Sequence, residues 1–309
     1  MLHLFKKGYK FLVDKNYRFV ICDRYSMFDQ MPDREYLERK FETYMGYKPN
    51  LDAPQTFNEK LQWLKLYDRK PLYTQLVDKY RVREYVKEKI GEQYLIPLLG
   101  VWDSPEEIDF DALPERFVLK CNHSSGANAL HICKDKSTLD VEAVKAKLLK
   151  GMKRNFYLHG REWPYKNVAR KIIAEKYMED AETSELRDYK FFCFDGVVKA
   201  LFVAADRQKK GEEVKFDFFD PDYNRLDFRQ GHENAPVLPA KPKEFELMKK
   251  LARKLSIGIP HVRVDFYEVN GVVYFGEMTF FHFGAWVHFE PEEWDYTFGS
   301  WIQLPEKTC

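Results

Sequence analysis

The feature that most restricts this fold is a pair of alternating runs near the C-terminal end. These are Val262-Arg263-Val264-Asp265-Phe266 and Val273-Tyr274-Phe275-Gly276-Glu277-Met278-Thr279, and Asn270-Gly271 lies between them. Apolar–polar alternation is the strand period, and Asn-Gly is the strongest short-range hairpin signal because both residues accept positive φ. Strands that bury a face rarely carry acids, so the loop length decides what Asp265 and Glu277 do. A two-residue loop pairs Val269 with Val272 and sets the two acids on opposite faces. A three-residue loop, with Gly271 closing a bulge, pairs Glu268 with Val272 and Arg263 with Glu277. Arg263, Asp265, Glu277 and Thr279 then share one face. Two carboxylates beside a guanidinium suit Mg²⁺ held against a polyphosphate, since Mg²⁺ takes hard oxygens and keeps waters and phosphates as its other ligands. The alternative is an ordinary cross-strand ion pair on a solvated face.

The 309 residues are 45% hydrophobic, and 50 basic against 49 acidic side chains leave no overall field to attract nucleic acid. This is the composition of a globular chain with room for two or three subdomains. Cys22, Cys121, Cys133, Cys193 and Cys309 are scattered without C-x-x-C spacing. They predict reduced thiols in a cytoplasmic setting rather than a disulfide frame or a zinc site. No run is long and apolar enough to span a bilayer, and no signal-peptide pattern opens the chain. Leu2, Phe5, Tyr9, Leu12 and Val13 recur at helical spacing among Lys6, Lys7, Lys10 and Lys15. Such a helix either packs on the body with a solvated lysine face or lies on an anionic membrane surface.

To about Leu99 the pattern predicts helices over Asp33–Met45, Thr56–Tyr67 and Leu72–Ile90, with Thr56-Phe57-Asn58-Glu59 as a capping box. From Phe117 onward strands dominate: 117–121, 129–133, 171–178, 189–194, 197–204 and 215–219, with helices at 139–155 and 244–255. This mixed order predicts an α+β fold of antiparallel sheets with helices packed on them.

Phe117-Val118-Leu119-Lys120 runs into Cys121-Asn122-His123-Ser124-Ser125-Gly126-Ala127-Asn128. Small side chains let backbone N–H groups approach an anion and the lysine adds a point charge, so this unit reads as a phosphate loop or as a polar β-turn with an incidental lysine. His123 reads as a general base or a hydrogen-bonding turn residue. Lys171-Ile172-Ile173-Ala174-Glu175-Lys176-Tyr177-Met178, followed by Asp188-Tyr189-Lys190-Phe191, reads as a hinge able to hold a nucleobase or as a linker between subdomains. Arg207 and Lys215 are anion contacts or solvated strand charges. His282, His288, Trp286 and Trp294 either face a cleft, where they could hold a sugar ring, or pack in the core.

The order of these parts resembles the ATP-grasp superfamily, and its TupA-like branch in particular. Asp78-Lys79, the Lys120 loop unit, Glu175-Lys176-Tyr177-Met178, Arg263-x-Asp265 and Glu277-x-Thr279 carry the resemblance. So do Pro54-Gln55-Thr56-Phe57-Asn58-Glu59-Lys60-Leu61-Gln62-Trp63, the run from Leu76 to Val86, and Gly276-Glu277-Met278-Thr279-Phe280. The resemblance implies an ATP-grasp fold with a helical region over 1–99, a lid subdomain over 100–180 and a larger subdomain with the metal site over 181–309. It implies ATP and Mg²⁺ as cofactors. Lys79 and Lys120 would bind phosphates under a loop containing His123, Ser124, Ser125 and Gly126. Glu175, Lys176, Tyr177 and Met178 would form the adenine hinge, with Asp188 on the ribose. Asp265 and Glu277 would hold the metal, with Thr279 where many members have an asparagine ligand, and Arg263 would stabilise charge on the transferred phosphate. The activity implied is a carboxylate–amine ligase that uses an acyl phosphate to join an amine or amino acid to a uronic-acid sugar in surface polysaccharide synthesis. A small-molecule or sugar kinase and a non-catalytic nucleotide- or sugar-binding module stay open as alternatives. Arg207, Lys215 and His282 are the candidate substrate contacts, and the N-terminal helix is a candidate membrane contact at the inner face.

Overall fold

The computed structural model describes residues 2–124, 129–181, 186–205 and 214–307. Ser125, Gly126 and Arg207 fall outside them, so their expected roles lie outside the described structure. Six helices come first: α1 Leu2–Val13, α2 Lys15–Arg24, α3 Asp33–Met45, α4 Phe57–Tyr67, α5 Pro71–Val77 and α6 Val82–Lys89. The capping box at Thr56 is present in full: Thr56 Oγ1 accepts from the Glu59 N–H, and the Glu59 carboxylate accepts from the Thr56 N–H. The single helix expected over Leu72–Ile90 is instead two. Asp78 Oδ1 accepts from the N–H groups of Tyr80 and Arg81 at 2.9 and 3.2 Å, a side-chain turn that competes with helix and starts α6 afresh. On α1, Tyr9, Leu12 and Val13 are 69%, 74% and 61% exposed, so these residues do not pack on the body. Among the described residues no helix is long and apolar enough to cross a membrane.

Two antiparallel sheets follow. The smaller one, built from β1 Leu98–Trp102, β2 Phe117–Cys121, β3 Leu130–Cys133 and β4 Ile172–Lys176, has strand order β1-β4-β2-β3. Helix α7 Val141–Lys153 covers it, and α8 Phe156–Gly160 follows. Phe117, Leu119, Cys121, Val144, Leu148, Ile172 and Ala174 form a core of its own. The larger sheet contains β5 Asp188–Phe194, β6 Val197–Ala205, β7 Lys215–Phe219 and, beyond the short β8 Arg229–Gln230 and helix α9 Phe245–Ser256, β9 Val262–Val269 and β10 Val272–Thr279. Its order is β10-β9-β5-β6-β7. One face, with Phe191, Val264, Phe266, Val273 and Phe275, shares a core with Phe245, Met248 and Leu251 of α9. The chain closes with β11 Phe289–Glu290, which pairs with β8, and α10 Glu293–Trp301.

The hairpin begins in the two-residue register expected but does not keep it. Its loop has two residues, with Asn270 at φ 52° and Gly271 at φ 75°, and Val269 pairs with Val272. The register then shifts between Phe275 and Glu277, so that Glu277 stands opposite Asp265 and Thr279 opposite Arg263. Gly276 supplies the extra residue of this bulge. A Cβ there would come within 3.1 Å of the Asp265 carbonyl, which is why glycine suits the position. The bulge, not a longer loop, returns both acids to one face.

Candidate active site

Strand register sets the first layer of the site. Lys190 on β5 pairs with Asp265 on β9, and Asp265 pairs with Glu277 on β10, so these three residues form one row across three strands. Like charges directly opposite repel, and here each is met by cations. Lys190 Nζ lies 2.5 Å from Asp265 Oδ2 and 3.2 Å from Asp188 Oδ1. Arg263 clamps Asp265 in bidentate fashion, Nε to Oδ1 at 2.7 Å and Nη2 to Oδ2 at 2.8 Å, and Nη2 also reaches Glu277 Oε1 at 3.3 Å and Thr279 Oγ1 at 3.0 Å. At the sheet edge Lys79 Nζ is 3.4 Å from Glu277 Oε2. Burial pushes the Glu277 carboxyl up, but Lys79, Lys190 and Arg263 together hold it well below the usual carboxylate range. The same burial lowers the Lys190 ammonium despite Asp265 beside it.

Lys79 is also where the two sheets meet. Its N–H donates to the Asn122 carbonyl at 3.1 Å, just past the end of β2. Asn122 Nδ2 donates to Asp78 Oδ1 and to the Ala169 carbonyl, each at 2.8 Å, and Asn122 Oδ1 accepts from the Lys171 N–H. This buried network fixes the root of the Lys120 loop against the acidic row. Sequence reading named Asn122 only as a loop residue; its signal is an amide buried beside an Asp-Lys dipeptide, visible only once the fold brings positions 78 and 122 together.

Lys120 Nζ is 2.6 Å from Glu175 Oε2 across β2 and β4, with Arg83 Nη1 3.6 Å from Glu175 Oε1. Past Glu175, the segment Lys176-Tyr177-Met178 lines a cavity of about 540 Å³ with Val272 and Tyr274 of β10. Val272, Tyr274, Glu277 and Thr279 stand on the less buried face of β10, so this cavity continues the face that bears the acidic row. Asn270 N–H donates to Asp180 Oδ2 and Ala181 N–H to Asn270 Oδ1, which clasp the hairpin tip to the segment after the hinge.

Other expected residues fall elsewhere. His123 is buried and both ring nitrogens are shielded from solvent, so it does not line an open loop face; burial first, then Arg170, lowers its pKa. The Ser124 hydroxyl donates back to the Cys121 carbonyl. Asp188 is enclosed against Lys190 rather than turned to an open ribose position. Lys215 lies on β7, three strands and about 14 Å from β9. His282 is buried, and its Nδ1 accepts from Arg263 Nη1 at 2.8 Å; it therefore orients the guanidinium instead of facing a substrate. Burial and then Arg263 keep its imidazole neutral, with a pKa well below the usual value. Trp294 stacks on Phe228 in the core, His288 is exposed, and Trp286 lines a separate cavity.

The family model described as TupA-like ATP-grasp matches residues 59–303, a span that includes the charge row, the Lys79 junction and the hinge. The chain belongs to the TupA-like ATP-grasp family. No curated protein matches it. Among solved structures, this TupA-like chain is similar to the ATP-grasp ligase PsnB complexed with a minimal precursor, at 10% identity over 69% of this chain and 55% of that one, with a TM-score of 0.39. D-alanine–D-alanine ligase from Helicobacter pylori matches at 13% identity over 66% of this chain and 54% of that one, TM-score 0.38. The D-cycloserine synthetase DcsG matches at 16% identity over 68% and 64%, TM-score 0.38. The TupA-like chain thus spans a little over half the length of the first two.

Proposed function

We propose that this protein is an ATP-dependent carboxylate–amine ligase that joins an amine or amino acid to a uronic-acid sugar of a surface polysaccharide, working in the cytoplasm at the inner face of the membrane. The observation that carries the reading is the row Lys190–Asp265–Glu277–Lys79 crossed by Arg263, beside a cavity bordered by the hinge. Two carboxylates and a hydroxyl are hard oxygen donors. Among the described residues no group of three or more His, Cys, Asp or Glu gathers, so most ligands of a divalent cation would be phosphate oxygens and water, which is the habit of Mg²⁺. Glu277, with its side chain 32% exposed, and Thr279 would hold it, and Asp265, enclosed by Arg263 and Lys190, would join them only by releasing one of those cations. When bound, Mg²⁺ would neutralise phosphate charge and align the transferring group.

The remaining chemistry falls to this chain's own side chains. Lys79 and Lys120 would hold the phosphates, each exchanging a carboxylate partner for a phosphate oxygen. Met178 and Tyr177 would border the adenine. The acceptor's carboxylate oxygen attacks the γ-phosphorus as the bond to the β-phosphate oxygen breaks, giving an acyl phosphate and ADP. A neutral amine then attacks the acyl carbon, the carbon–oxygen bond to phosphate breaks, and the amine proton leaves to solvent. Charge grows on oxygen in both steps, and Arg263, held rigid by Asp265 and His282, is aimed to stabilise it. The test is turnover of Mg·ATP with a panel of uronic acids and amines, with hydroxylamine as a trap. ADP and phosphate that appear only with both substrates, and a hydroxamate adduct, are the expected result. AMP as product, or no turnover, overturns the reading. A stable phosphorylated sugar formed without amine makes the protein a kinase.

A further inference from the structure

A second cavity, of about 370 Å³, opens between α3, α8 and the loop that follows β10. That volume lies within the range of about 300–1,000 Å³ usual for small-molecule sites. Its walls combine the rings of Tyr44, Phe156, Phe283 and Trp286 with the side chains of Glu162 and Lys40. One side of it is a strained backbone. Phe283, Gly284 and Ala285 all take positive φ, at 51°, 63° and 61°, a run that non-glycine residues avoid unless their surroundings impose it. The surroundings come from α4: Gln62 Nε2 donates to the Gly284 and Ala285 carbonyls at 3.2 and 2.8 Å, and Lys65 Nζ to Gly284 at 2.7 Å. A Cβ on Gly284 would meet Trp286 Nε1 at 2.3 Å, so the glycine is what lets the indole stand where it does.

The cavity is next to the charge row. Phe283, in its wall, follows His282, whose ring contacts Arg263. On the other side Tyr165 packs on Phe156 with ring centroids 4.9 Å apart, and its phenol is held far above its usual pKa by burial and then by the charges of Glu162 and Glu277. Aromatic faces with a carboxylate among them suit a ring that has an apolar C–H face and hydroxyl donors at its edge. A cationic amine suits the cavity poorly, because Lys65 Nζ lies 4.2 Å and Lys40 Nζ 5.6 Å from the Trp286 ring centroid and both would repel it.

We infer that this cavity is the acceptor subsite and takes a hydroxylated pyranose ring stacked on Trp286 and hydrogen-bonded by Glu162, with its carboxylate directed toward Arg263. The assignment rests on the ligase reading above and adds where the sugar sits and which residues select it. Saturation-transfer NMR on the full chain tests it. The probes are the methyl glycosides of glucuronate, galacturonate and mannuronate, with methyl glucoside and methyl N-acetylglucosaminide as neutral rings, and Mg·ADP binding is measured in parallel by calorimetry. A ring that receives saturation from wild type, with about tenfold weaker binding in Trp286→Ala and a clear loss in Glu162→Gln, is expected. Tyr44→Ala, on the exposed rim, provides a variant whose folding is not at issue and should weaken binding by a smaller factor. Sugar binding that survives all three substitutions, or no saturation of any probe, overturns the subsite even where Mg·ADP binds. Failure of Mg·ADP to bind, with Trp286-dependent sugar binding intact, overturns the ligase reading and leaves the sugar site standing.

Discussion

The two walls that meet at Arg263 are held by different means. The sheet wall is set by strand pairing: once the hairpin register and the Gly276 bulge are fixed, Lys190, Asp265 and Glu277 have to line up, and side chains within the row neutralise one another. The loop wall, Phe283 to Trp286, has two turn hydrogen bonds of its own, Gly284 N–H to the Phe281 carbonyl and Trp286 N–H to the Phe283 carbonyl, but these do not account for its backbone. It is a run of left-handed backbone whose carbonyls are gripped by Gln62 and Lys65, more than 200 residues earlier in the chain. A periodic element therefore carries the charges that chemistry requires, whereas an aperiodic one propped by distant polar groups shapes what is admitted. The two roles are thereby separated: changes in the sheet should alter turnover, and changes under the loop should alter acceptor recognition.

The strongest way to break this contrast is Glu277→Gln, which keeps the shape and removes the charge facing Lys79 and Arg263. Turnover should fall by about 10²–10³, the scale of losing one preorganised electrostatic contact, while sugar binding by NMR is unchanged. Retained turnover would mean that the row is not the reacting wall.

Next in size is acid lability. His261 is fully buried behind the row; burial brings its pKa down to about 3 against the opposing pull of its hydrogen bond to the Cys193 carbonyl, and His282 is shifted the same way. Both imidazoles are neutral when folded and free to protonate when unfolded. Their contribution is intact above the unfolded pKa of about 6.5 and is lost as pH falls, at about 1.4 kcal/mol per pH unit for each group. Urea titrations between pH 7 and pH 5 should therefore show a falling midpoint, and His261→Phe should reduce the slope by about half. A midpoint independent of pH in that window would contradict the burial of these rings.

Lys65→Met sharpens the contrast from the loop side. It removes a buried ammonium whose pKa burial lowers, but it also strips the Glu162 carboxyl of the opposite charge beside it, so folding stability should fall. The Gly284 carbonyl also loses its shorter bond and keeps only the 3.2 Å one from Gln62 Nε2, so KM for the acceptor should rise about tenfold while KM for ATP stays constant. Equal changes in both constants would show that the loop and sheet walls are not separable.

The same division explains what the sequence made legible. Alternation and Asn-Gly announced the β9/β10 hairpin, and Thr56 with Glu59 announced the start of α4, because these signals act within a few residues. The bulge was not legible, since Gly276 in a strand reads as a weak position until its opposite neighbour is known. The break at Asp78 was hidden because an apolar period continues across it. His123 read as a general base or a turn residue and His282 as a cleft-facing or core residue, and only the fold shows that one is enclosed behind the loop and the other hydrogen-bonded to Arg263. Asn58, Lys60 and Gln62 are polar residues of α4, and nothing near them in the sequence names their partners. In fact Asn58 and Gln62 reach the Val287 and Ala285 carbonyls, and Lys60 reaches those of Gly299 and Ile302. Long-range partners of polar side chains leave no periodic trace.

The smallest effect concerns the far end of the prop. Asp295 on α10 accepts from the Asn58 N–H at 3.0 Å and from Asn58 Nδ2 at 2.9 Å, which ties α10 to the first turn of α4. Burial outweighs those two hydrogen bonds, which act to lower it, and raises its carboxyl to about 6. An acid whose folded pKa lies above its unfolded value holds its proton more tightly in the fold, so its contribution is fully present below about pH 3.8 and is lost as pH rises through about 6. That slope opposes the one from His261 and His282. Asp295→Asn removes the ionisation penalty but turns an amide donor toward Asn58, which can then satisfy only one of the two bonds. At pH 7 the two effects nearly cancel, and the net change should stay within about 1 kcal/mol. The opposing slope disappears in the variant, so its urea midpoint should rise more steeply with pH between 4 and 6 than that of the wild type. Parallel curves in that window would mean that Asp295 ionises freely and that the α4–α10 contact is looser than its distances imply.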